Sequence, residues 1–468
     1  METKTQTLDY KFIKQNADTL TPIGIYKNLH GTKKFLLESS FQHEEKGKYS
    51  FIGTDPYKEI IGEGNETSIF NHGHEKKEQQ TENPLSVLKQ QLPKMDVDLP
   101  FPFFGGAVGY IGYDSIRSYE NIGDDLPDAI EMPDIHLMLY KNVIIFDHND
   151  ESVYLVATNL EQQSESVLDK RLEELKKALL SNQTTDPTTE GEITFEPEMD
   201  KETFMRNVEI AKEHINQGDI FQVVLSQRMK ATIHGDPFSF YRKLRKTNPS
   251  PYMFYIDFDD YVVLGASPES LIETTGQDII TNPIAGTRPR GKTKDQDKEL
   301  TKELLADEKE ISEHRMLVDL SRNDLGRVCE INSISVPTYM TVEKYQHVMH
   351  MVSEVHGKLT SRFSSIDALI SCLPAGTVSG APKIRAMQII NDLETLKRGV
   401  YAGGVGYISF NYDMNIALTI RSLVVKNNYA YLQAGAGIVY DSDPETEYNE
   451  TLHKARSLME VTNYDFTN

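Results

Sequence analysis

Tryptophan is missing from all 468 residues, and cysteine occurs only twice, at Cys329 and Cys372. Two cysteines cannot build a disulfide framework, and neither stands at a paired-ligand spacing, so buried free thiols are expected. Basic residues are also scarce: 49 Lys and Arg face 71 Asp and Glu, a formal charge of −22. Nucleic acid and anionic membranes need a basic footprint, so neither is an expected partner. Any anionic substrate would have to be met by local positive groups or a metal. Long apolar runs are lacking as well. No stretch approaches the roughly 20 apolar residues of a membrane span, and the first twenty residues hold no apolar core of signal-peptide length. A cytoplasmic chain is expected. No internal repeat of solenoid length is present.

What is there divides into two parts. Up to about Leu160 short apolar runs alternate with turn residues, as in "KFLLESS", "YSFIG", "FFGGAVGYIGYD", "IHLMLYKNVIIFD" and "VYLVAT", which predicts strands. A charged helix, "ESVLDKRLEELKKALL", follows. The polar, aperiodic stretch 181–200 is the best boundary, giving a strand-rich region 1–180 and a second region 195–468, the two interleaved into one globule. The second region opens with an amphipathic helix, a stop at Gly218 and a strand. Later, "VYAGGVGYISF", "MNIALTIRSLVV" and "YAYLQAGAGIV" read as three strands of an antiparallel meander.

Carboxylates recur at helical spacing. In "DQDKELTKELLADEKEISEHRMLVDL", Leu300, Leu304, Ile311 and Leu317 support one helix, on which Glu310 and Glu313 lie a turn apart. In "DSDPETEYNETLHKARSLME", Asp443 is the natural N-cap and Pro444 the first helical residue. Tyr448, Leu452 and Ala455 then form the apolar face, with Glu447, Glu450 and Lys454 on an adjoining arc. A solvated helix face is one reading of each glutamate pair. A site for a hard cation, Mg²⁺ rather than zinc, is the other, since no histidine or thiolate is among them. "LPAGTVSGAPKIRAMQII" joins a Gly-rich turn to a helix whose start, near Ser379 to Pro382, could face an anion or be an ordinary cap. Arg421 sits in a strand-like run, where a substrate carboxylate and a structural ion pair are equally open.

The ordered set of motifs resembles the chorismate-utilising enzymes, and within them the anthranilate synthase component I group, over nearly the whole chain. It is carried by "LLES" (36–39), "YSFIG" (49–53), "IFQVVLSQR" (220–228), "NPSPYMFY" (248–255), "GASPESL" (265–271), "PIAGTRPRG" (283–291), "EISEHRMLVDLSRNDLGRV" (310–328), "VMHMVSEVHG" (348–357), "LPAGTVSGAPK" (373–383), "YAGGVGYIS" (401–409) and "QAGAGIVYDSDPETEYNETLHKA" (433–455). The resemblance implies an α+β fold of two packed antiparallel sheets flanked by helices. It implies a lyase that converts chorismate and ammonia to anthranilate and pyruvate with Mg²⁺. By motif position Glu269 is implied as general acid, His350 as the proton-transfer group and Thr287 as lining the ring. Glu313 and Glu450 are implied as metal ligands, with Glu310 and Glu447 as neighbours or water-bridged ligands. Lys454 and the Gly435 to Gly437 amides would hold the ring carboxylate, and Tyr401 and Arg421 the enolpyruvyl carboxylate.

Two further positions speak to which family reaction is run. Relatives that make 4-amino-4-deoxychorismate carry a nucleophilic Lys where Ala285 stands before Gly286, and alanine cannot attack. Isochorismate and salicylate synthases carry a Lys base where Gln222 stands, and glutamine cannot activate water. Neither cysteine sits in a G-x-C-x-G elbow, so ammonia is expected from a glutamine amidotransferase partner, component II. Feedback tryptophan would bind through Glu38, Ser39, Ser50, Pro249, Ser250, Tyr252 and Met253, although an ordinary strand and a Pro-fixed turn would read the same way. The alternatives are aminodeoxychorismate synthase component I and a non-catalytic homologue.

Overall fold

The computed structural model describes residues 9–39, 48–74, 76–97, 99–180, 193–345 and 348–463. Residues 181–192 of the proposed boundary stretch lie outside the described residues. Strands fill most of the front part, and the helices Glu165–Leu180 and Lys201–Asn216 flank the boundary, as the periodicity predicts. Among the described residues the strands assemble into two twelve-stranded sheets. Neither sheet belongs to one half of the chain. In the first, the early strand Phe35–Glu38 pairs with Tyr252–Asp257; in the second, Gly106–Ile111 pairs with Gly404–Ser409.

Period-two alternation explains the layers. On the first sheet Phe35 and Leu37 point into a core shared with Ile60, Tyr110 and Leu137 of the second sheet, while Leu36 points outward, under helices. The outer face of the first sheet is covered by Glu165–Leu180, Pro237–Thr247 and Pro444–Met459, the side chains Leu168, Phe240 and Leu458 being fully buried there. Helices Lys201–Asn216 and Lys383–Leu393 cover Val223, Leu225, Ala436 and Ile438 in a smaller cluster. No helix among the described residues is long and apolar enough to cross a membrane.

Three expectations are corrected. The predicted meander is not continuous. "MNIALTIRSLVV" breaks into Met414–Leu418 in the second sheet and Ser422–Lys426 in the first, because Arg421 takes a left-handed φ of 49° that ends the extended run. The long acidic helix is two helices, Lys294–Leu304 and Glu308–Gly326, since Asp307 caps the second by accepting from the amides of Lys309 and Glu310. On the last helix Asp443 and Pro444 start the element as predicted, but the buried stripe is Glu447, Thr451, Ala455 and Leu458. The apolar face is thus rotated by one residue, and Glu447 lies inside it.

Phe35 is fully buried, with its ring edge-on to Tyr140 at a 4.7 Å centroid separation and to Phe103 at 6.2 Å. Phe35→Ala should cost about 3–5 kcal/mol in urea unfolding; a loss below about 1 kcal/mol would show that the inter-sheet core closes without this ring.

Candidate active site

Two chain crossings build the centre of the site. The strand Tyr261–Ser267 lies in the first sheet and Ser270–Thr275 in the second, so Pro268 and Glu269 form the bridge between them. Thr419 to Arg421 make the return bridge from Met414–Leu418 to Ser422–Lys426. The bridges are tied to each other: Leu418 N–H donates to Glu269 O at 3.0 Å, and Ala266 N–H to Arg421 O at 3.1 Å. Two functional side chains are therefore placed by backbone on backbone.

Glu269 is buried, and Thr377 Oγ1 donates to its Oε1 at 2.9 Å. Burial pushes the carboxyl up to about 8, against opposing pulls from the Thr377 hydroxyl and the charges of Arg421 and Lys454. A carboxylic acid is thereby kept protonated at neutral pH. Arg421 is half-buried, its pKa lowered by the loss of water around it, and its guanidinium makes no hydrogen bond or ion pair among the described residues. A left-handed φ at an arginine costs about 1–2 kcal/mol. A strained, half-buried cation with no protein partner among the described residues is suited to binding an anion.

His350 lies on Val348–Lys358, opposite the apolar Met349 and Met351, which pack under Leu304. Its Nδ1 is 2.9 Å from Thr287 Oγ1 and 3.3 Å from Gly286 O. A carbonyl only accepts, so Nδ1 carries the hydrogen and Nε2 is left with its lone pair. Burial, with Arg421 and Lys454 nearby, pushes the imidazole down to about 4, so it is neutral. Gly286 makes this geometry possible. Pairing slips between Ala285 and Thr287, and Gly286 occupies the bulge at φ 76°. A β-carbon there would stand 3.1 Å from Leu304 Cδ1 and 3.2 Å from Glu310 Oε2. Ala285 pairs with Met351, half-buried, and presents a methyl group only.

Gly435 and Gly437 lie at the end of the strand Tyr429–Ile438, paired with Ser226 and Val224. The glycines there make room. A β-carbon on Gly435 would come within 2.8 Å of Tyr401 Oη, and one on Gly437 within 2.7 Å of Gln222 Nε2. Tyr401 is buried and its hydroxyl pushed up to about 12 by that burial. Gln222 Nε2 donates to Glu313 Oε1 at 2.8 Å, while its Oε1 is buried without a partner.

The four glutamates do not converge as a finished metal cage. Arg288 donates to Glu310 at 3.0 Å, Lys454 pairs with Glu450 at 2.8 Å and donates to Gly435 O at 2.9 Å, and Glu447 is buried beside Ser442. Among the described residues no three His, Cys or carboxylate side chains stand together as a metal-holding group. Glu313 is a half-buried carboxyl: burial raises its pKa, Glu310 and Glu450 raise it further against Gln222 and Lys454, and Gln222 is its one hydrogen-bond donor among the described residues. The helix Lys383–Leu393 begins at Pro382 with no side-chain cap.

The inhibitor candidates also become neighbours. Glu38 pairs in register with both Ser50 and Met253, and Ser39, Pro249, Ser250 and Tyr252 lie at the ends of those strands or in the adjoining turn. Tyr241 Oη and Arg245 Nε donate to the Glu38 carboxylate at 2.8 and 3.0 Å. Sequence reasoning missed these two partners, along with Arg288 and Thr377. Thr377 sat inside a quoted motif, but spacing along a chain cannot show which carboxyl a loop hydroxyl will reach.

A family model described as chorismate binding enzyme matches residues 32–460. The chain is 44% identical to anthranilate synthase component 1 of Lactococcus lactis, over 95% of this chain and 98% of that one. It is 42% identical to the namesake of Thermus thermophilus, over 95% and 96%. The crystal structure of anthranilate synthase component I from Streptococcus pneumoniae superposes with a TM-score of 0.83 at 42% identity, covering 95% of this chain and 98% of that one. The menaquinone-specific isochorismate synthase of Escherichia coli shares the fold, with a TM-score of 0.73 at 20% identity over 97% and 94%.

Because Glu269 is protonated at a pH where an exposed carboxylate is charged, its burial costs stability as pH rises from about 4.5 to about 8. Glu269→Gln, which keeps the Thr377 bond, should be more stable than the native chain by roughly 2–4 kcal/mol at pH 8–9 and equal to it near pH 4. A constant difference across that range would contradict the neutral-acid assignment.

Proposed function

The chain belongs to the chorismate binding enzymes, and from that premise we propose that it is the chorismate-converting subunit of an anthranilate synthase. The observation that carries this reading is the half-buried Arg421, unpaired among the described residues, near a carboxyl, Glu269, that burial keeps protonated. Chorismate brings two carboxylates and a ring hydroxyl that must leave. Arg421 and Tyr401 take the enolpyruvyl carboxylate; Lys454 and the backbone near Gly435 take the ring carboxylate. Ammonia adds at ring carbon 2 as the hydroxyl at carbon 4 departs with the proton of Glu269, leaving as water. His350 Nε2, neutral and with its tautomer set by Gly286 and Thr287, handles the proton transfers as the enolpyruvyl group leaves as pyruvate and the ring aromatises. Carbon, nitrogen and oxygen balance as chorismate and ammonia to anthranilate, pyruvate and water.

Mg²⁺ would be held by Glu313 and Glu450, with Glu310 and Glu447 as neighbours or through water, and when bound it supplies charge to the ring carboxylate. The residues fit it, since Glu313 is half-buried and short of positive partners. Ala285 and Gln222 support amination over the sibling reactions, as neither can act as an amine nucleophile or base.

Both thiols are buried, Cys329 pushed up to about 11 and Cys372 to about 12. Neither can serve as the thiolate of a glutaminase, so a second subunit, a glutamine amidotransferase, would supply the ammonia. Free thiols suit a reducing, cytoplasmic compartment. Tryptophan would inhibit by binding beside the ends of the paired strands that carry Glu38, Ser50 and Met253.

Glu269→Gln should lower kcat by about 10²–10⁴-fold with chorismate and ammonium, while chorismate still binds in the presence of Mg²⁺; a near-native rate would remove Glu269 from the acid role. Added tryptophan should slow the native chain, and Ser39→Phe should weaken that inhibition about tenfold or more. A native chain indifferent to tryptophan would remove the regulatory reading.

A further inference from the structure

The strand Gln222–Thr232 has an incomplete edge. On the side away from Tyr429–Ile438 it meets Gly380–Ala381 at residues 222 and 223, then the two-residue strand Glu196–Pro197 at 229 and 230. Between them Val224 N–H donates to Ser379 O at 2.9 Å, and the remaining edge groups of Val224 and Ser226 have no strand to pair with among the described residues. A side-chain ion pair fills the gap. Ser226 N–H and Oγ–H each donate to Glu394 Oε1 at 2.8 Å, and Arg398 NH2 donates to Val224 O at 2.7 Å. Arg398 grips Glu394 as a fork, Nε to Oε2 at 2.8 Å and NH2 to Oε1 at 2.6 Å. Both residues are buried, Arg398 to 3% exposure.

The same guanidinium reaches two further parts of the site. Its NH1 donates to Val378 O at 2.7 Å, the residue after Thr377, whose hydroxyl holds Glu269. Its plane lies 5.6 Å from the ring centroid of Tyr401 and 4.7 Å from that of Tyr113. Arg398 thus joins the strand that begins at Gln222, the loop that carries Thr377, and Tyr401. It differs from Arg421 in kind: three of its nitrogens are spent on protein partners, so it has no fork left for a ligand, while Arg421 makes no such bond.

We propose that the Arg398–Glu394 pair is a positioning device that holds Gln222, Thr377 and Tyr401 in one frame, and so aligns the acid Glu269 with the substrate. Charge as such is not what the position requires. Apolar side chains of similar size commonly replace a buried pair with equal or greater stability. What apolar side chains cannot do is satisfy Val224 O, Val378 O and Ser226 N–H at fixed distances.

The proposal rests on the anthranilate synthase reading and is tested by kinetics with chorismate and ammonium, alongside thermal unfolding. The variants are Arg398→Lys and the double variant Arg398→Met with Glu394→Leu. The double variant is expected to unfold at a lower midpoint, because Val224 O, Val378 O and Ser226 N–H lose their partners, and, where folded, to lose about tenfold or more in kcat. Arg398→Lys, which keeps the charge but loses the fork, is expected to fall between. In both, with free ammonia held constant, the basic limb of the pH–rate profile should move upward, because loosening Thr377 removes a bond that holds the Glu269 pKa down. A merely structural role would leave that limb in place. A folded double variant with native kcat and a native profile overturns the proposal. Should the double variant fail to fold, Arg398→Lys decides by the same two readouts. The native chain reports on the underlying reading by itself. No anthranilate from it overturns both, whereas anthranilate from it with unaffected variants overturns the positioning role alone.

Discussion

The site depends on one constraint: a half-buried guanidinium, Arg421, and a buried carboxyl, Glu269, do not neutralise each other by a hydrogen bond. An unpaired charge in a protein interior is costly, and the usual outcome is a paired ion or a neutral group. Here the carboxyl has gone neutral and the arginine has stayed charged without a partner. That arrangement holds only because both sit on bridges between two large sheets, fixed by Leu418–Glu269 and Ala266–Arg421 backbone bonds. The scaffold over-determines the bridges, so the side chains cannot relax toward each other.

The electrostatics follow from that. In the proposed reading, a chain of net charge −22 would accept a dianionic substrate through Arg421 and Lys454, set around a neutral acid and a neutral histidine. Burial is the first cause of each perturbed group, raising Glu269, Glu313 and Glu447 and lowering His350. Its sign differs by residue type, so one dry environment prepares a proton donor and a proton acceptor together. The acidic side of the site, around Glu313, is the complementary half: excess negative charge that a divalent cation would relieve.

Much of this was legible in the sequence, and the reasons differ by level. Elements with strong local signals were found where they stand, such as the helix at Glu165–Leu180 and the cap at Asp443–Pro444. The site residues came from motif identity and could not have come from spacing, since Glu269, His350 and Glu313 lie on elements far apart in the chain. What failed were features decided by tertiary context. The break at Arg421 is a left-handed residue with no glycine to announce it. The Asp307 cap interrupts a run with helical periodicity on both sides. Glu447 is buried on a face where an apolar residue was expected, and the roles of Thr377 and Arg398 exist only through contacts between segments remote in sequence.

The central claim is that this geometry aminates chorismate and expels pyruvate. It is tested most directly by incubating the purified chain with chorismate, Mg²⁺ and ammonium at mildly alkaline pH, and identifying the products by chromatography and mass. Ortho-aminobenzoate with an equal amount of pyruvate is the predicted result. Formation of 4-amino-4-deoxychorismate or isochorismate, or no turnover, would contradict it.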